Sequence, residues 1–150
     1  DNHSIDMVIA NAGASYPHST DFMRFEDFKK TLDVNFLSIH CLLENIVPQM
    51  KKNGKGKIVL VSSLASFVAS PTSLAYSSSK RAINSYAQSL RNQLKPFNIS
   101  VINIQPGFIE TEMTAKNRFK MPFKMGLEMG VDKIEKAIAK NRKEYAFPFI

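Results

Sequence analysis

The run Ile58-Val59-Leu60-Val61-Ser62-Ser63 decides the fold. An uninterrupted apolar stretch, mostly β-branched and ending in two hydroxyls, describes a strand buried on both faces; a half-wet strand would alternate apolar with polar residues. Ile5-Asp6-Met7-Val8-Ile9-Ala10 and Ile99-Ser100-Val101-Ile102-Asn103-Ile104 have the same texture. Three such strands, each expected to be covered on both sides, predict a parallel sheet.

Between the strands the period changes. Phe25, Phe28, Leu32, Phe36, Ile39, Leu43, Val47 and Met50 recur at spacings of three and four, as do Ile83, Ala87, Leu90 and Leu94, so each segment is an amphipathic helix. Thr20 or Asp21 and Ser73 are the expected amino caps, and Asn53-Gly54 and Pro96 the stops. Pro48 is expected to kink or shorten the last turn of the first helix. With right-handed crossovers, strand, helix, strand, helix, strand makes one half of a Rossmann-like, doubly wound α/β sheet. After Ile104 the texture turns irregular: residues 106 to 130 hold Pro106, Gly107, Pro122, Gly126, Gly130 and much of the methionine, the composition of a loop or short helices. A helix over Val131 to Lys143, with Ile134 and Ile138 inward, and a strand over Tyr145 to Phe149 are expected to follow.

Composition narrows the functional classes. The chain has 150 residues, 44% hydrophobic and 22% charged, which excludes disorder, collagen and coiled coil. No apolar run approaches the roughly 20 residues of a membrane span, and Asp1-Asn2-His3-Ser4 lacks the features of a signal peptide, so a cytoplasmic protein is expected. The formal charge of +7 comes from basic residues scattered along the chain, a solvated surface and not a nucleic-acid stripe, although it is compatible with an anionic ligand or peripheral contact with lipid headgroups. Cys41 is alone, which excludes an internal disulfide or a cysteine metal cluster. His3, His18 and His40 have no carboxylate at a suggestive spacing and read as surface or structural groups. No metal is expected.

Ligands of such sheets bind at the carboxyl ends of the strands. There stand Asn11-Ala12-Gly13, Ser62-Ser63 and Pro106-Gly107. Tyr76 and Lys80, at i and i+4, share one face of the second helix and would meet Ser63 at a strand end. A phenol is a poor acid at neutral pH, but an adjacent ammonium is expected to lower its pKa and make it a usable proton donor and acceptor. The Ser63 hydroxyl would then hydrogen-bond a substrate carbonyl.

Together these motifs resemble the short-chain dehydrogenase/reductase family: Asn11-Ala12-Gly13, Asn35 within Asp33-Val34-Asn35-Phe36, Ser63 thirteen residues before Tyr76, Tyr76-Ser77-Ser78-Ser79-Lys80, and Pro106-Gly107-Phe108-Ile109-Glu110-Thr111. The resemblance implies a carbonyl or alcohol oxidoreductase. In it Tyr76 would exchange the proton, Lys80 would lower the Tyr76 pKa and hold the nicotinamide ribose, Ser63 would orient the carbonyl, and Asn35 would hold a water in a proton relay. It further implies that Asn11 fastens the central sheet, that Ala12 and Gly13 let backbone approach the cofactor, and that Pro106, Gly107, Ile109 and Thr111 form the loop against the nicotinamide. The implied cofactor is NADP or NAD, with NADP favoured; the implied assembly is a homodimer or homotetramer through helix faces carrying Phe36, Leu37, Leu42 and Tyr86.

One departure matters. The family's glycine-rich pyrophosphate turn is missing: Gly54-Lys55-Gly56 precedes a strand instead of following one. Together with the absent initiator Met, this leads to the expectation that residues 1–150 are the catalytic portion of one domain whose first βαβαβ half lies upstream. Residues 4–111 would be its core, 112–130 a substrate loop or lid, and 131–150 a final helix and strand. The Met and Phe residues of 113–130, with Ala146 to Ile150, suggest a bulky apolar or lipid-like substrate. The alternatives are a catalytically incomplete fragment or a regulator that keeps the dinucleotide fold without the chemistry.

Overall fold

A computed structural model describes residues 4–16, 22–68, 70–115 and 120–148. Its frame is a four-stranded, wholly parallel sheet in the order β1 (Met7–Ala10), β2 (Gly56–Val61), β3 (Ile99–Pro106) and β4 (Glu144–Phe147). Ala10 pairs with Leu60, Val61 with Ile104, and Pro106 with Phe147, so the carboxyl ends of the strands lie side by side.

Side-chain alternation sorts the core into two layers. Ile58, Leu60, Ile99 and Val101 pack beneath the two long helical segments with Leu43, Met50, Ile83 and Leu94; Val59, Ile102 and Ile104 face the opposite way, onto Ala137 and Phe147. Fully burying each such apolar side chain contributes about 1.5–3 kcal/mol. The sheet is thus covered on both faces at β2 and β3. The expectation of double burial fails at β1, an edge strand with Met7 and Ile9 each 47% exposed, because no described element packs on that face.

The helices depart from expectation at their joints. The first apolar segment is not one α-helix: α1 (Phe25–Leu32) passes through a π turn, Asp33–Leu37, into α2 (Ser38–Asn53). Thr20 and Asp21 lie outside the described residues, and the helix begins at Phe25, with Arg24 in the cap position and no side-chain cap. Glu26 and Asp27 in its first turn complement the helix dipole instead. Pro48 does not shorten α2: Pro48 and Glu44, whose carbonyl loses its donor, are both exposed, so water can serve that carbonyl. Helix α2 stops at Gly54, left-handed with φ 64°, as the Asn-Gly pair predicts.

Helix α3 (Leu74–Leu94) follows Ser73, whose hydroxyl bonds the Ser77 hydroxyl at 2.7 Å and not a backbone N–H. A short helix α4 (Glu112–Ala115) stands in the irregular stretch. Helix α5 covers Leu127–Ala139, starting and ending four residues before the predicted span, since Asn141 at φ 50° turns the chain out of the helix. Gly130, read as a loop glycine, is buried inside α5, where a Cβ would stand 2.8 Å from Ile109 Cδ1. The last strand begins at Glu144, one residue early, and Phe149 lies outside the described residues.

Candidate active site

The site forms where β2 ends and α3 begins. Ser63 leaves the strand in extended conformation and caps a short 3-10 turn, Leu64–Ser66, its Oγ accepting from Ala65 N at 3.1 Å. Tyr76 and Lys80, one turn apart on α3, both turn toward it. The Ser63 hydroxyl stands close enough to the Tyr76 phenol to favour its ionised form. Lys80 Nζ lies 5.7 Å from the centre of the Tyr76 ring and donates to the Val61 carbonyl at 2.9 Å. Lys80 is only 4% exposed. The anchor at Val61 belongs to the same strand end as Ser63, so β2 sets the position of both groups.

The electrostatics correct one expectation. Burial pushes the Tyr76 phenol above its usual value of 10.0, and the nearby Ser63 hydroxyl pulls it only part of the way back. The ammonium does not lower it as predicted, because Lys80 lies over the ring face and donates to a main-chain carbonyl, not to the phenol oxygen. Burial acts on Lys80 as well, lowering its pKa from 10.5 to about 8. Loss of solvation disfavours the charged form of each group, which brings the acid and the base toward neutral partners.

Asn35 closes the site from the π turn. Its Oδ1 accepts from Ala14 N at 2.7 Å, and its Nδ2 donates to Ala14 O at 2.9 Å and to Ser79 Oγ at 3.1 Å. It thereby ties the loop after β1 to α3. Ser79 Oγ in turn donates to the Tyr76 carbonyl at 2.7 Å. A Cβ on Gly13 would lie 3.5 Å from Lys80 Nζ, so the Asn11-Ala12-Gly13 turn passes directly over the lysine. Asn11 and Ala12 are exposed, and the Asn11 side chain makes no hydrogen bond among the described residues. Among the described residues, the tie between the loop after β1 and α3 is made by Asn35.

The end of β3 supplies the other wall. Ser63 Oγ lies 3.4 Å from the Pro106 carbonyl, and Gly107 N donates to Phe147 O at 2.7 Å. Gly107 is tightly enclosed, a Cβ there meeting Pro148 and Leu64 at 3.0 and 3.1 Å. Ile109 bridges to Met125 and packs on α5; Thr111 is exposed. Thr114, overlooked in the sequence, organises this loop, its Oγ1 accepting from Thr111 N at 2.9 Å and donating to Ile109 O at 2.7 Å.

Further polar groups frame the site. Ser62 Oγ donates to the Lys80 carbonyl at 2.8 Å and stays buried. A polar cluster of Asn84, Asn103, Gln105, Glu144 and Arg91 lies behind the Ser63 turn. Its signal was present: Asn103 and Gln105 occupy alternate positions of a strand whose apolar neighbours predict burial. His40 Nδ1 pairs with the Tyr86 hydroxyl at 2.9 Å, away from the site, while His3 and His18 lie outside the described residues. Among the described residues no group of His, Cys, Asp or Glu is placed to hold a metal, and no helix is long and apolar enough to cross a membrane.

The chain matches known proteins in sequence and in fold. The family model described as short chain dehydrogenase matches residues 2–122. An uncharacterized oxidoreductase of Myxococcus xanthus is 34% identical over 145 residues, 97% of this chain and 57% of that protein. The NADPH-dependent 1-acyldihydroxyacetone phosphate reductase of Schizosaccharomyces pombe is 35% identical over 115 residues, 77% of this chain and 38% of that protein. In fold, the chain superposes on a short-chain dehydrogenase from Sphingobium yanoikuyae solved with NADPH, at TM-score 0.87 and 21% identity, covering 97% of this chain and 58% of that one. The chain spans about half the length of such relatives, 57% and 38% of the two curated ones.

Proposed function

The chain belongs to the short-chain dehydrogenase family, and from that premise we propose that it carries the reacting groups of an NAD(P)-dependent oxidoreductase that interconverts a carbonyl and an alcohol. The observation that carries this reading is the meeting of Ser63, Tyr76 and Lys80 at one strand end.

The residues present suit the reactive end of a nicotinamide cofactor. Lys80 Nζ spends one donor on Val61 O, which leaves two for a ribose hydroxyl pair, and Gly13 lies directly beside it. Bound there, the cofactor supplies hydride to a carbonyl carbon or accepts it from an alcohol. Tyr76 gives its proton to the carbonyl oxygen as charge develops on it, and Ser63 donates a hydrogen bond to the same oxygen. Lys80 keeps its proton at neutral pH and is placed to hold the cofactor's ribose beside Tyr76. Asn35 keeps the loop over Lys80 in register. The preference between NADP and NAD follows from no residue described; the named S. pombe relative uses NADPH.

Replacing Tyr76 by Phe removes the proton and little else. In the protein as its gene encodes it, Tyr76→Phe should cut carbonyl turnover by about a thousandfold while leaving cofactor affinity within a few fold. Turnover within tenfold of the parent would rule out the assignment.

A bulky, apolar substrate is the second part of the reading. Phe67, Val68 and Leu74 on one side of the site, and Met113, Phe123, Leu127 and Met129 on the segment after β3, are all substantially exposed. Such patches mark binding surfaces, and methionine adapts to irregular apolar ligands. The S. pombe relative is named for an acylated substrate, which agrees with this choice. A panel of ketones should show kcat/KM rising with chain length or ring count; small polar ketones turning over best would reject it. Association of copies through the outer face of the π turn and α2, where Leu37 and Leu42 are exposed, completes the proposal.

A further inference from the structure

Ser63 is held by more than its own turn. The Ser63 carbonyl accepts from Ser66 Oγ at 2.6 Å, and Ser66 Oγ accepts from Asn84 Nδ2 at 2.8 Å. Asn84 Oδ1 accepts from Asn103 Nδ2 at 3.0 Å and from Gln105 Nε2 at 3.3 Å. Both amides also donate to Glu144 Oε2, at 2.9 and 3.0 Å, and Arg91 Nη2 holds Glu144 Oε1 at 2.9 Å. Ser66, Asn103 and Gln105 are each at most 5% exposed.

The direction of this chain is forced. An ionised carboxylate only accepts, so Asn103 and Gln105 turn their NH2 groups to Glu144 and have second protons to give. Asn84 must then present its oxygen to them and its NH2 to Ser66. A flipped Asn84 would set NH2 against NH2 and offer Ser66 an acceptor, drawing the single Ser66 proton away from the Ser63 carbonyl. The orientation imposed by Glu144 on β4 is thus passed through three side chains to the Ser63 turn. The cluster tolerates a cost: Asn103 Oδ1 is buried without a partner among the described residues.

We propose that Asn84 is a positioning residue for the reaction, holding the Ser63 turn through Ser66 so that the Ser63 hydroxyl stays against Tyr76. The inference rests on the functional reading above, because only in an enzyme using Ser63 does the placement of that hydroxyl matter to rate. A displacement of about 1 Å at a reacting centre can cost a hundredfold. Gln105 and Asn103 sit at the end of the strand that also bears the Pro106-Gly107 loop, so one cluster ties both walls of the site together.

The test uses Asn84→Ala, Ser66→Ala and the double variant of the protein as its gene encodes it. Each single change should lower kcat about tenfold or more with the cofactor KM within twofold, and the double should lose no more than the worse single, since both interrupt one chain. Amide hydrogen exchange at Ala65 and Ser66, whose N–H groups bond Ser63 Oγ and Ser63 O, should quicken about tenfold in all three, with Ile58 to Leu60 unchanged. Unchanged exchange at Ala65, kcat within twofold despite faster exchange, or losses that multiply would each overturn the proposal. A parent protein without turnover would sink the functional reading instead, and exchange would still decide whether Asn84 holds the turn.

Discussion

Lys80 shows what the site costs the fold. Its ammonium is buried with one main-chain carbonyl as partner, and desolvation lowers its pKa to about 8. The unfolded chain, with a lysine near 10.5, binds that proton more tightly than the folded one. The penalty is therefore complete below pH 8 and fades as pH rises toward 10.5. Lys80→Met keeps the length of the side chain and removes the charge. The variant should be more stable than the parent at pH 7, by on the order of 3 kcal/mol, and the gap should close by about pH 10. Thermal unfolding of both proteins across that range checks the sign; a gap widening with pH would refute it. Carbonyl turnover should be lost in the same variant, because stability at such a position competes with the chemistry.

Among the elements, the π turn at Asp33–Leu37 does the least expected thing. Spacings of three and four through Phe28, Leu32, Phe36 and Ile39 spell a helix without revealing where it widens. A π turn fits an additional residue into one turn of helix, and the one buried here is Asn35. Its reason for being there is the backbone of Ala14, 21 residues away, and the hydroxyl of Ser79, 44 residues away. No local pattern carries that information. The boundaries of α5 failed for a similar reason: Gly126 and Gly130 look like loop residues until Ile109 is seen pressed against Gly130, where only a glycine fits. By contrast Gly54 stopped α2 as read, because a left-handed cap is a local requirement. Asn103 and Gln105 stood in plain view as polar residues in a buried strand, but their meaning lay in Asn84 on α3 and Glu144 on β4.

At the scale of the whole molecule, two apolar surfaces away from the site stand uncovered among the described residues: one face of the β1 segment, with Ile5, Met7 and Ile9, and the outer face of the π turn and α2, with Leu37 and Leu42. Exposed apolar edge strands invite pairing with further chains, and a lysine there is the usual remedy. Expressed as these 150 residues, the chain should form associated species that Ile9→Lys reduces, and Leu42→Lys should reduce the order of any assembly formed through α2. Light scattering on the parent and both variants decides, and identical masses in all three would show that neither surface associates. The parallel sheet, its two long helical segments, and the triad of Ser63, Tyr76 and Lys80 were legible in the amino-acid order, because periodicity, turn residues and i to i+4 spacing are local rules. The direction of the Tyr76 shift, the Asn35 clasp, the exposed face of β1 and the Asn84 chain were decided only by tertiary structure, because burial and hydrogen-bond direction depend on what distant segments bring alongside.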